Sequence, residues 1–440
     1  MTSTLRLAVF NAHQNRCSEC WGHTIHFTIH LDSDLLLALS RKLSSWALSV
    51  ALLLTLACSP SHSQEEATTV RQVPGEEYSL VILDNSSTFS QASAINASGQ
   101  LIGVREVVDK SGNIFSQESF FFDGQKIAKL PLLDGFTNIE ASALSDTGLV
   151  VGYASRPMGH ANGSLTGFVW DSKTEKLTRL MPFANDTASQ AHDISADGRR
   201  ITGYTNGSEP TRLRPCLWTW NPATEKWDIE VLSVLQDYNP YTVASRVVIS
   251  PDGARIAACI TVKEYSNNQF DSSLFMWEWS GAKWQRRLVS DEQMVLRDMN
   301  NEGEIAAIYT GKTRRDPCFI DAAGKLTLIG TFAGDVSGEA HGINAEGTVV
   351  GFSDDPTGPE GGPQAFMWKA GKSRALKLPE GTVYSSAFGI NDLGQIAGLL
   401  DVVLGAEAGK ETPVDASDDV EQAKVKTLAF RWTPKKPPEK

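Results

Sequence analysis

A short element that recurs seven times at a period near fifty residues limits this chain to few folds. The element is an apolar run, then Asn or Ser, two variable residues, Gly, and a second apolar run. It occurs as Ser93-Ala-Ile-Asn-Ala-Ser-Gly99, Ser142-Ala-Leu-Ser-Asp-Thr-Gly148, His192-Asp-Ile-Ser-Ala-Asp-Gly198 and Val247-Val-Ile-Ser-Pro-Asp-Gly253. It continues as Arg297-Asp-Met-Asn-Asn-Glu-Gly303, His341-Gly-Ile-Asn-Ala-Glu-Gly347 and Phe388-Gly-Ile-Asn-Asp-Leu-Gly394. The glycines are spaced 49, 50, 55, 50, 44 and 47 residues apart. Units of this size do not bury a core singly, so they must stack on one another.

Downstream of the corner the copies carry aromatic residues at alternate positions followed by a polar turn, as in Gly167-Phe-Val-Trp-Asp-Ser-Lys-Thr-Glu-Lys-Leu177 and Met276-Trp-Glu-Trp-Ser-Gly-Ala-Lys-Trp284. Alternation broken by Gly, Asn or Asp is the pattern of hairpins, and no stretch after Cys58 keeps a helical period. Each unit therefore reads as four strands. The Asn or Ser side chain can bond the turn backbone of the first corner, and Gly takes the positive φ that a side chain would penalise. Packing such sheets face to face in a ring covers both faces of each and leaves short edges. The last copy ends at its third strand, Leu428-Ala-Phe-Arg-Trp432, while Tyr78-Ser-Leu-Val-Ile-Leu83 has the alternation of a spare fourth strand. The expected fold class is all-β: a seven-bladed β-propeller of four-stranded blades over residues 78–432, the N-terminal strand completing the last blade. A Pro/Lys-rich disordered tail is expected over 433–440.

The element Gly-Ile-Asn-x-x-Gly-x-Val-Val-Gly followed by Ala-Phe-x-Trp, clearest in 341–368 and 387–432, resembles the bacterial extracellular HAF repeat family. The resemblance spans nearly all of the chain from about residue 78. Gln364 and Leu428 stand where the family's signature has His, and Ser-Pro-Asp-Gly253 is similar to the repeats of Tol-system propellers. The resemblance implies export and a propeller-like fold, and it brings no agreed activity or catalytic residue.

Upstream, Arg41 to Cys58 has a basic start, an apolar stretch and a small residue before Cys, which reads as a secretory signal shorter than a membrane span. Its end, Leu-Thr-Leu-Ala-Cys58, resembles a lipobox, with Thr55 departing from the usual Leu. Cys58 is then the lipid attachment point, with ordinary cleavage near Ala57 as the alternative, and residues 59–77 are a polar tether. Residues 1–40 read as an upstream mis-assigned start. The protein is expected to be exported to the cell envelope, in the periplasm or at the cell surface. Cys17, Cys20, His23, His26 and His30 are zinc-type residues, but five residues between Cys20 and His26 fall short of a finger's spacing. No metal and no cofactor is expected.

Charge narrows the partners. Residues 1–58 carry four basic and three acidic side chains against a formal net charge of -12, so the body is more acidic than the whole. Such a surface repels phosphate backbones, and no nucleic-acid partner is expected. The expected partners are an envelope protein or carbohydrate, with the protein itself a monomer. Cys216, Cys259 and Cys318 sit in apolar runs and read as core filler.

The sequence has no Gly-x-Ser-x-Gly elbow, His-Glu-x-x-His or P-loop. Innermost propeller strands line the channel, so aligning the corners puts Ser93, Ser142, His192, Val247, Arg297, His341 and Phe388 in one ring. The next ring holds Ala94, Ala143, Asp193, Val248, Asp298, Gly342 and Gly389. His192, Asp193, Arg297, Asp298 and His341 are thus candidates to converge on a polar ligand, or else solvated channel residues. These residues support a binding or scaffold protein; the alternative is a glycoside hydrolase or lyase using Asp193, Asp298 and the two histidines on envelope polysaccharide. Three other features are weaker. The acidic loop 354–362 has oxygen donors for calcium but reads better as a hairpin, and the polar insertion 401–426 reads as disordered. Trp218, Trp220, Trp227, Trp277, Trp279 and Trp284 crowd two blades, as packing or as a surface platform.

Overall fold

The computed structural model describes residues 69–435, apart from 76, 85–88, 109–113, 157–164, 207–212, 233–242, 264–269, 311–314, 333–336, 355–361, 380–381, 383 and 404–424. Every regular element among these is a strand. They form six four-stranded antiparallel sheets and one five-stranded sheet, giving a seven-bladed β-propeller. In blade one the chain runs outward through Ser90–Ile95, Leu101–Val108, Ile114–Phe122 and Ile127–Lys129. Blades two to six repeat that order, each with its own corner between the first two strands.

The ring closes as the chain ends imply. Tyr78–Asp84 pairs antiparallel with Val425–Pro434, in register from Tyr78↔Pro434 to Leu83↔Ala429. Its alternation buries both faces. Leu80 and Ile82 pack with Phe430, Trp432 and the blade-six residues Val350 and Leu376, while Val81 and Leu83 pack with Phe120 and Phe122 of blade one. Covering a strand from both sides makes it a core strand, which is why it reads as an apolar run.

The tether expected over 59–77 is corrected from Thr69 onward. Thr69–Pro74 is a fifth strand of the closing sheet, paired with Tyr78–Asp84 from Thr69↔Asp84 to Pro74↔Ser79, and Val73 packs on the core beneath. Polar alternation disguised it, because an outer strand buries one face only. The tail is shortened likewise, since the last strand runs to Pro434.

Two glycine positions shape each typical blade. Corner glycines hold positive φ, from 70° at Gly347 to 88° at Gly148, where a side chain would be strained. Farther on, a Cβ at Gly152 or Gly203 would lie 1.9 Å from the backbone carbonyl oxygen of Glu140 or Gln190, because a bulge pushes the inner strand onto the second one. Blade five carries Ala307 at the matching place, opposite Leu296. Cys216, Cys259 and Cys318 are buried in the cores between blades, and burial pushes their thiols up.

Candidate functional site

Each inner strand bulges just before its corner. In six blades one residue is left without a ladder partner: Ser93, Ser142, His192, Arg297, His341 and Phe388. In blade four the ladder jumps from Ala244↔Ile260 to Val247↔Ala258, so the bulge holds two residues, the second being Arg246. That wider bulge corrects the expected ring. Val247 is fully buried in the wall, and Arg246 lines the channel in its place.

The corners then tie the blades together. Asn96 Nδ2 donates to Ser145 O at 3.0 Å, Asp146 N to Ala196 O at 3.0 Å, and Ala196 N to Pro251 O at 2.8 Å. Asp252 N donates to Asn301 Oδ1 at 2.8 Å, and Asn300 Nδ2 to Asn344 O at 3.1 Å. Asn344 Nδ2 donates to Asn391 O at 3.3 Å, and Asn391 Nδ2 returns to Asn96 O at 2.9 Å. The hydrogen bonds run through all seven blades and close on themselves. They frame a cavity of about 190 Å³ lined by Asp193, Arg246, Arg297, Asp298, His341 and Phe388 among others.

Four of the five expected site residues meet at this mouth, and His192 turns into the wall. Its Nδ1 accepts the Val247 N–H at 3.1 Å, and its ring meets Tyr204 edge-on at 4.8 Å. Burial pushes its pKa down to about 3, with Arg246 adding to the effect, so the imidazole is neutral. Asp193 accepts the N–H of Ile194 through Oδ1 and that of Ile249, in the next blade, through Oδ2, each at 2.9 Å. Asp298 repeats the pattern with Met299 at 2.8 Å and Ile343 at 2.9 Å. The two carboxylates are staples between blades. Burial raises Asp193 to about 6, and burial together with the charge of Asp193 raises Asp298 to about 7.

A second cluster stands beside them. Glu339 accepts from Arg297 Nη2 and pairs with Arg315 Nη2, both at 3.0 Å. His341 Nε2 lies 3.5 Å from Glu339 Oε2, and the imidazole sits between the Phe352 and Phe388 rings. Burial, then the charges of Arg297, Arg246 and Arg315, pushes His341 well below its ordinary pKa. Arg246 was the residue that counting back from Gly253 missed. A charged side chain immediately before the apolar Val247-Val248-Ile249 was the available signal.

Trp218 and Trp277 are inter-blade core, whereas Trp220 pairs with Trp227 and Trp279 with Trp284 on the hairpins of blades three and four. The Arg200 guanidinium lies over the Trp279 and Trp284 rings. Among the described residues no group of three or more His, Cys, Asp or Glu is arranged to hold a metal. Cys58, the N-terminal zinc-type residues, and the interiors of the 354–362 loop and the 401–426 insertion lie outside the described residues.

The chain matches no protein-family model and no curated protein. It is similar to the β-propeller domain of the Trilobed protease from Pyrococcus furiosus, with TM-score 0.47 and 10% identity over 71% of this chain and 90% of that one. An acylaminoacyl peptidase from Pyrococcus horikoshii gives 0.46 and 12% over 71% of this chain, which spans only 50% of the peptidase. An oligogalacturonate lyase from Vibrio parahaemolyticus gives 0.42 and 12% over 76% of this chain and 96% of that one. Identities this low transfer no site residue.

Proposed function

We propose that the protein is a non-enzymatic binding or scaffold propeller of the cell envelope, held there by a lipid on Cys58, which takes a small polar ligand at the corner end of its channel. One observation carries this reading. Polar side chains from four blades converge on one small cavity, as binding sites do, while three of the four groups that acid–base chemistry would use, Asp193, Asp298 and His192, are bonded to backbone. A general acid or base must reach a substrate proton. Asp193 and Asp298 each accept two main-chain N–H groups, and His192 accepts a third blade contact, so the polysaccharide-cleaving alternative would first have to break the staples.

The resemblance to the HAF repeats supports export, and the acidic body favours an envelope protein or carbohydrate as the partner over nucleic acid. A thermal-shift panel of neutral saccharides, acidic saccharides and small organic acids tests the reading on the full chain and on His341→Ala. At least one class should raise the melting temperature of the parent and not of the variant. Release of shorter saccharides during incubation, or a shift identical in both proteins, contradicts it. For the anchor, Cys58→Ala should move the protein from the membrane to the soluble fraction; a parent that is already soluble refutes the lipid.

A further inference from the structure

We propose that the channel mouth is a carboxylate-binding site anchored by Arg246; this rests on the binding reading above and names its ligand class. A guanidinium offers five N–H donors in a planar fork. Among the described residues Arg246 engages one of them, in a long 3.4 Å bond to His192 O, and its Nε is buried with no partner. Arg297 Nε is likewise buried without a hydrogen bond, and both guanidinium groups line the same cavity as His341, whose Nε2 lies 3.5 Å from Glu339 Oε2. Unengaged buried donors are costly, so the site as built calls for acceptors.

The nearby carboxylates do not meet that demand. A counter-ion role for Arg246 would set its fork against Asp193 or Asp298. Each instead turns one oxygen onto the main chain of the next blade and the other onto the N–H of its own following residue, and Glu339 is held by Arg297 and Arg315. Burial raises Asp193 to about 6 and, with the charge of Asp193, Asp298 to about 7, which lessens the repulsion that Asp298 offers an incoming anion. A two-oxygen anion matches the fork, and a charge-assisted pair with Arg is the stronger kind of hydrogen bond. The cavity, about 190 Å³, is smaller than the roughly 300–1,000 Å³ of pockets that enclose drug-sized ligands, so a small acid fits better than a polymer. The Phe388 ring beside His341 gives the carbon skeleton an apolar wall.

Calorimetric titration of the full chain with acetate, succinate and citrate, beside inorganic phosphate and glucose, tests this. At least one carboxylate should bind. Arg246→Gln should weaken it by about tenfold or more, the loss of one charge-assisted pair. Arg246→Lys keeps the charge that faces Asp193 and Asp298 and should melt like the parent, yet bind more weakly than the parent, between it and the Gln variant, because an ammonium keeps the charge but lacks the fork. Carboxylates that bind no better than phosphate, or that bind both variants like the parent, overturn the proposal. Glucose binding that is lost in His341→Ala but not in Arg246→Gln would overturn it while leaving the binding reading intact. Silence from the whole panel overturns both.

Discussion

The corners built on Asn and those built on Ser hold the same ring by different chemistry. Asn96, Asn300, Asn344 and Asn391 each accept two N–H groups of their own turn through Oδ1 and donate through Nδ2 to a carbonyl of the next blade. Ser145, Ser195 and Ser250 accept within their own corner, from Leu149, Arg200 and Arg255. A hydroxyl has one donor and a short reach, so the Ser joints are made by backbone, from Asp146 to Ala196 and from Ala196 to Pro251, or by Asn301 reaching back to Asp252. Blades one, five, six and seven are thus joined through side chains that a mutation can remove. At the corners themselves blades two, three and four are joined largely by main chain, which it cannot, although His192 and Asp193 add side-chain bonds from blade three to blade four.

The largest test strikes the place where the Asn half closes. Deleting Tyr78–Leu83 strips Val425–Pro434 of its outer partner, uncovers Phe430 and Trp432, and leaves an aggregation-prone edge. It should cost several kcal/mol, on the order of losing several buried apolar side chains at once. Deleting 405–424 should leave the ring intact, since loop shortening is tolerated. Thermal unfolding of both deletions decides; a strand deletion that melts like the parent breaks the account of closure.

Single corners come next. Asn391→Ala removes the bond to Asn96 O, a contact with Gln395 Oε1, and the acceptor for the Leu393 and Gln395 N–H groups. At about 1 kcal/mol per bond, with the Asn96 carbonyl still holding the Gly99 N–H, a loss of about 2–4 kcal/mol is expected. Ser195→Ala removes bonds to Asp197 and Arg200 only and should cost about 1 kcal/mol. Denaturant unfolding of the two variants sharpens the contrast, and equal losses would erase it.

The smallest effect is in pH. Asp298, raised to about 7, staples the Asn half, and Asp193, raised to about 6, the Ser half. A carboxylate raised above its unfolded value of about 3.9 keeps a proton in the fold that the unfolded chain gives up, so stability falls as pH rises through the folded value. Between about pH 6.5 and 8 Asp298 dominates, at no more than about 1.4 kcal/mol per pH unit. Below pH 6.5 the neutral His192, held down to about 3, acts the other way, because the unfolded chain takes up the proton first. Melting temperatures from pH 6.5 to 8 should therefore fall for the parent and fall less for Asp298→Asn; parallel lines would contradict the staple.

The fold was legible in the chain because its signals are local. Gly99 to Gly394 mark the corners, the aromatic alternation marks the third strands, and Tyr78–Leu83 is apolar because both its faces are covered. The mouth was legible in part. Asp193, Arg297, Asp298 and His341 fall where corner counting puts them, whereas the extra bulge residue that moves Arg246 inward leaves the apolar pattern after it unchanged. Nothing near Asn391 in sequence discloses that its partner is Asn96, 295 residues away, since the contact exists only once the ring has closed. Thr69–Pro74 was hidden for the opposite reason to Tyr78–Leu83, having one covered face in place of two.

The central claim, that the seven corners form one mouth and that a ligand sits there, is met most directly by amide hydrogen exchange with and without the tightest-binding small acid of the panel. The account predicts added protection in corner peptides of several blades together, around Ile194, Ile249, Met299 and Ile343, whose amides the two aspartates hold. Protection confined to the outer strands or to the hairpins of blades three and four, with the corners unchanged, would contradict it.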